Sequence, residues 1–74
     1  MRKAVTVYRM ILSLVGEELI NDETSISIFE GRGLLGTGKW YQDGILVYGT
    51  RPVKSFTWEE GNRLTVAVHE KEEN

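Results

Sequence analysis

Apolar residues recur along this chain with two different periods, and the change from one to the other separates a helical start from a sheet-forming remainder. Tyr8, Ile11, Leu12, Val15 and Leu19 stand three or four residues apart, which predicts a helix over residues 7–15 with one apolar stripe. Thr6 stands where an N-cap belongs, its hydroxyl free to accept an amide of the first turn. Gly16 is expected either to end the helix as a C-cap or to sit in a frayed continuation through Ile20. A strand over residues 3–10 is the alternative; its alternation of Val5 and Val7 fails beyond Arg9. Glu17, Glu18, Asp22 and Glu23 then form an acidic joint with Asn21 and Asp22 as turn formers.

From Thr24 the period becomes two. Ile26 and Ile28 fall on one side of residues 24–30 and Ser25, Ser27 and Phe29 on the other, the pattern of a strand half buried by the helix. Residues 34–40 read as a weaker returning strand, loosened by its glycines. For residues 41–48 three readings stay open: a strand closed by an Asp43-Gly44 hairpin, a short helix, or an irregular crossing that packs Ile45, Leu46 and Val47. Pro52 is tolerated at the head of a strand, so residues 53–58 form the next one. Its Phe56 and Trp58 share a face, and Val53 is expected on the other with Ser55 and Thr57. Residues 59–62 make a hairpin loop with Gly61 left-handed, and residues 63–69 the last strand, with Leu64, Val66 and Val68 inward. Residues 70–74 read as a charged, frayed tail. The fold class is therefore α+β, with one N-terminal helix packed on a small, mainly antiparallel sheet of three to five strands, in a single domain over residues 1–74.

Length sharpens this picture. A chain of 74 residues lies near the size at which one core supplies only about 3–5 kcal/mol without staples. It has no cysteine, which excludes a disulfide framework and a thiolate metal site and leaves packing or oligomerisation to hold the fold. Arg2 and Lys3 precede an apolar run, yet Arg9 interrupts it and no small-residue cleavage pair follows, so no secretion leader is expected. Charges at Arg9, Glu17 and Glu18 also stop the run short of a membrane span. A reducing cytoplasm is the expected compartment. The formal charge of −2 argues against a general electrostatic nucleic-acid binder, although Arg32, Lys39, Arg51 and Lys54 outnumber Asp43 in the middle of the chain.

The most conspicuous motif is Gly31-Arg32-Gly33-Leu34-Leu35-Gly36-Thr37-Gly38-Lys39. Gly31, Gly33 and Gly36 match a dinucleotide fingerprint, and Gly33, Gly38 and Lys39 a phosphate loop in which Trp40 replaces the hydroxyl residue that holds magnesium. Both fingerprints need a helix opening at the glycines, and residues 39–44 are too short and glycine-broken to supply one. The segment is read instead as a hairpin, with Gly31 and Gly33 at positive φ and with Gly36 and Gly38 marking a bulge or a close backbone approach. No nucleotide, cofactor or metal is expected. His69, the single histidine, alternates outward; no serine or threonine lies in a nucleophile turn, and the paired glutamates are loop neighbours. No catalytic residue is assigned.

Five aromatic residues remain: Trp40, Tyr41, Tyr48, Phe56 and Trp58. Two or three of them must enter so small a core, and those left outside become interface anchors. Taken together, Thr6-Val7-Tyr8 before an apolar helix, the acidic turn ending Asp22-Glu23-Thr24, the strand 25–29, Val53-Lys54-Ser55-Phe56 and Leu64-Thr65-Val66 resemble small proteins of unknown function encoded by phages and integrated elements of Gram-positive bacteria. The resemblance implies a mobile-element setting and a binding role, such as an accessory or host-protein inhibitor, and carries over no functional residue; the glycine-rich middle departs from it. The leading expectation is a non-catalytic protein-interaction module, binding a protein partner or itself through a strand edge or an aromatic face, with Trp40, Tyr48 and Trp58 as contact residues. Its rival is a single-stranded nucleic-acid binder using Arg32, Lys39, Trp40, Tyr41 and Arg51.

Overall fold

The structure is a computed structural model that describes residues 5–70. Residues 71–74, where most of the expected tail falls, lie outside them, as do residues 1–4. The elements follow in the order α1 (Val7–Gly16), β1 (Ser25–Glu30), β2 (Gly33–Gly38), α2 (Asp43–Leu46), β3 (Val53–Glu59) and β4 (Arg63–Val68). The strands form one sheet in the order β2-β1-β4-β3, with β1 and β4 parallel at its centre and both outer pairs antiparallel. This is the α+β arrangement expected, with four strands.

α1 begins where Thr6 predicts, its side chain accepting a hydrogen bond from the Arg9 amide at 3.3 Å. Its end differs from expectation. Gly16 is the last helical residue, and the left-handed position falls on Glu18, at φ 62°. The Leu19 amide reaches the Leu14 carbonyl and the Glu18 amide the Val15 carbonyl, the paired bonds that close a helix around a left-handed residue. The buried stripe is also rotated from the expected one. Val7, Met10, Ile11 and Leu14 face inward, while Tyr8, Leu12 and Leu19 are exposed. So many positions of this helix are apolar that three- and four-residue spacing can be traced along two neighbouring faces.

The core lies between one sheet face and the two helices. Ile26 and Ile28 of β1 and Leu64, Val66 and Val68 of β4 meet Val7, Met10, Ile11, Leu14, Ile20 and Ile45 in one cluster. Residues 41–48 resolve into the short α2, of which Ile45 is buried and Leu46 and Val47 are exposed. Gly36 makes that placement possible. It sits opposite Ile28, on the core side of β2, where a side chain would collide with the Gly44 carbonyl oxygen and come within 2.9 Å of the Tyr48 ring. The β1–β2 hairpin turns at Gly31, with φ 62°; Gly33 does not adopt positive φ, contrary to expectation, because a two-residue turn needs only its first central residue there. β2 ends at Gly38, before Trp40.

Two links tie the ends of the sheet to the chain around it. At one, buried Thr24 bonds the Asn21 amide and, at 2.9 Å, the Asn62 side chain of the β3–β4 turn, where Gly61 and Asn62 are both left-handed. At the other, Arg51 donates to Glu30 at 2.7 Å and to the His69 carbonyl at 2.8 Å. The opposite sheet face carries Ser27, Phe29, Thr65, Ala67, Ser55 and Thr57 and has no described helix against it. Register lines up Thr57, Thr65, Ser27 and Thr37 in one row across all four strands, with Ser27 and Thr37 hydroxyls 3.3 Å apart.

Candidate functional site

The widest departure from a closed fold is β3. It is an edge strand, and every residue from position 54 to 59 is exposed on both sheet faces. Register explains how aromatic rings came to be there. Phe56 lies opposite Val66 and Trp58 opposite Leu64; residues paired across antiparallel strands share a face, so both rings extend the core side of the sheet beyond the helices. A bulge between Val53 and Ser55 inserts Lys54 as an extra residue. The inserted residue turns Val53 onto the Phe56 and Trp58 face, where it packs against the core, rather than onto the Ser55 and Thr57 face that strict alternation predicts.

Phe56 is 44% and Trp58 47% exposed, and their rings meet edge to face at 6.2 Å. The reason is dimensional. A helix of 10 residues is about 15 Å long and about 10 Å across, whereas four strands spread over about 15–19 Å. α1 and α2 together cover the rest of that width and leave β3 open.

Of the three expected contact residues, only Trp58 is presented in this way. Trp40 is part-buried against the core and its indole N–H donates to Asp22 at 3.1 Å. Tyr48 lies over Gly36 and its hydroxyl donates to the Leu35 carbonyl at 3.0 Å. These two are the rings that enter the structure, as partly buried residues at the margin of the core. Phe56, not among the expected contact residues, joins Trp58; the i, i+2 spacing of the two rings on one strand was the available signal.

The nucleic-acid set is divided. Lys39, Trp40 and Tyr41 follow the end of β2, while Arg32 and Arg51 sit at the opposite end of the sheet, about 20 Å away along the strand. The Lys39 ammonium donates to the Glu23 carbonyl, and Arg51 pairs with Glu30, both side chains mostly buried. Tyr41 is exposed and meets Trp40 edge to face at 5.6 Å. The glycine segment forms the β1–β2 hairpin, and no helix opens at its glycines. His69 is exposed at the end of β4. Among the described residues no three His, Asp or Glu side chains converge, and no helix is long and apolar enough to cross a membrane. No family model, curated protein or solved structure matches the chain.

Proposed function

We propose that this chain is a protein-interaction module that receives an extended polypeptide segment along the β3 edge, with Phe56 and Trp58 as its anchors. One observation carries the reading: an edge strand, exposed on both faces from residue 54 and in unbroken register over residues 55–59, holds two half-exposed rings in contact with each other. The outward amides and carbonyls of an edge strand supply sequence-tolerant hydrogen bonds to an added strand, and aromatic residues in fixed positions supply hot-spot contacts at small entropic cost. No catalytic role is assigned to any residue, and a phage or mobile-element setting and a cytoplasmic home belong to the same proposal.

A peptide-display selection on the immobilised domain tests it. The expected result is enrichment of extended, apolar-alternating sequences that the Trp58→Ala domain no longer retains and whose binding changes little between low and high salt. Failure to enrich any sequence refutes it. A labelled single-stranded oligonucleotide held at low salt and released steeply as salt rises would replace it with the nucleic-acid reading.

A further inference from the structure

Resting on the reading of β3 as an interaction edge, we infer that its occupant is a second copy of this chain, paired antiparallel with β3 about a two-fold axis at Thr57. The two four-stranded sheets then become one of eight.

The sheet has two outer strands, and their edges are not equivalent. The head of β3 is bridged on its outer side, where the Val53 amide donates to the Val5 carbonyl at 2.8 Å and Thr6 pairs with Pro52; residues 54–59 beyond that bridge are exposed and have no described strand beside them on that side. β2 is interrupted by the register shift that leaves Leu35 as an extra residue, and it carries Gly33, Gly36 and Gly38; bulges and glycines of this kind blunt an edge against pairing. In β3 the bulge and Lys54 lie at one end. Residues 55–59 pair with β4 in unbroken register and are rich in residues suited to strands.

Self-pairing of β3 is further restricted by its own side chains. A two-fold axis perpendicular to the sheet keeps core-side residues with core-side residues, so only registers centred on a residue are allowed. Centring on Phe56 sets Lys54 against Trp58 of the second copy and Val53 against Glu59. Centring on Thr57 sets Phe56 against Trp58, Ser55 against Glu59 and Lys54 against Glu60, each twice. That register matches opposite charges at both ends and brings four rings together on the core side, where β3 lies beyond the cover of α1 and α2. It is the isologous form that most closed dimers use. The exposed parts of Phe56 and Trp58 amount to roughly 200 Å² per chain at typical aromatic areas, so with the strand contact added the interface belongs to the small, reversible class.

Thr57→Cys provides a direct test, because the chain has no cysteine of its own. At the two-fold centre the two Cα atoms would lie about 4.5–5.5 Å apart, within disulfide range, whereas Ser55→Cys would place its pair about 13 Å apart. Sedimentation from roughly 1 μM to 1 mM, the range suited to a small interface, should show a monomer–dimer equilibrium. Mild oxidation should cross-link Thr57→Cys and leave Ser55→Cys uncross-linked. Phe56→Ala and Trp58→Ala should each weaken the dimer at least about 30-fold. Since those two truncations could disturb the strand, surface charges give a second measurement: Lys54→Glu and Glu60→Lys should each weaken association about tenfold, and the double exchange should restore it. A monomer throughout that range, a dimer in which Thr57→Cys does not cross-link, or a dimer indifferent to all four substitutions overturns the inference. A monomer that still selects peptides would show that the edge takes a foreign strand, leaving the broader proposal standing.

Discussion

Gly36→Ala should destabilise this protein more than any other addition of one methyl group. The added carbon would overlap the Gly44 carbonyl oxygen and approach the Tyr48 ring at 2.9 Å. Neither neighbour is a flexible side-chain end: one is backbone of α2, the other a ring whose hydroxyl is tied to the Leu35 carbonyl. Relief therefore requires α2 to lift from β2. Overpacking of this kind costs about 1–3 kcal/mol, loss of the tyrosine hydrogen bond adds about 1 kcal/mol, and partial exposure of Ile45, which is 0% exposed, adds about 1 kcal/mol. A total of about 3–5 kcal/mol approaches the whole stability of a domain this small, equivalent to a fall in Tm of about 12 °C or more. Urea and thermal unfolding followed by tryptophan fluorescence measure it. The matched control is Gly16→Ala, where nothing lies within 4 Å and a helical residue should gain about 0.5–1 kcal/mol. If Gly36→Ala unfolds within about 0.5 kcal/mol of the parent, below the usual overpacking cost, the close seat of α2 on β2 is not what holds this half of the fold.

Three further outcomes follow from the same geometry. Glu18→Gly should stabilise the chain by about 1 kcal/mol, because a non-glycine residue in the left-handed region is strained; a lower urea midpoint would contradict the helix end described. Thr24→Val keeps the shape but strips the hydroxyl from the Asn21 amide and the Asn62 side chain, at a cost of about 1–3 kcal/mol. Amide exchange in the β3–β4 turn should quicken with it, and unchanged protection there would remove Thr24 as the link. Phe56→Thr and Trp58→Thr should each cost the isolated fold at most about 2 kcal/mol, half of a full aromatic truncation, since both rings are half exposed; a larger loss by chemical unfolding would assign them to the core rather than to an interface.

Much of the framework was legible from local signals. Thr6 is a cap because its hydroxyl serves an amide three residues on, and β1 and β4 alternate because each has one face on the core; both patterns act over a few residues. The hairpin reading of the glycine segment was equally local, resting on the absence of room for a helix after Lys39. What misled was pattern read where two answers satisfy it. The N-terminal pattern offers Tyr8, Leu12 and Leu19 as readily as Val7, Met10 and Leu14, and only packing into one cluster with β1 and β4 selects the second set. Strict alternation placed Val53 with Ser55, and one extra residue at Lys54 reversed its face.

The aromatic residues show the same division. Nothing near Trp40 or Tyr48 in the chain announces Asp22 or the Leu35 carbonyl as partner; the first meeting arises because the β1–β2 register brings the residues flanking that hairpin together, the second because α2 folds back over a glycine gap in β2. Local sequence therefore determined where helix, strands and turns begin, since capping, alternation and turn chemistry operate between neighbours. Which faces are covered, and that β3 keeps Phe56 and Trp58 open at its edge, was decided by the tertiary structure, because two short helices are too narrow for four strands and burial depends on contacts far apart in the chain.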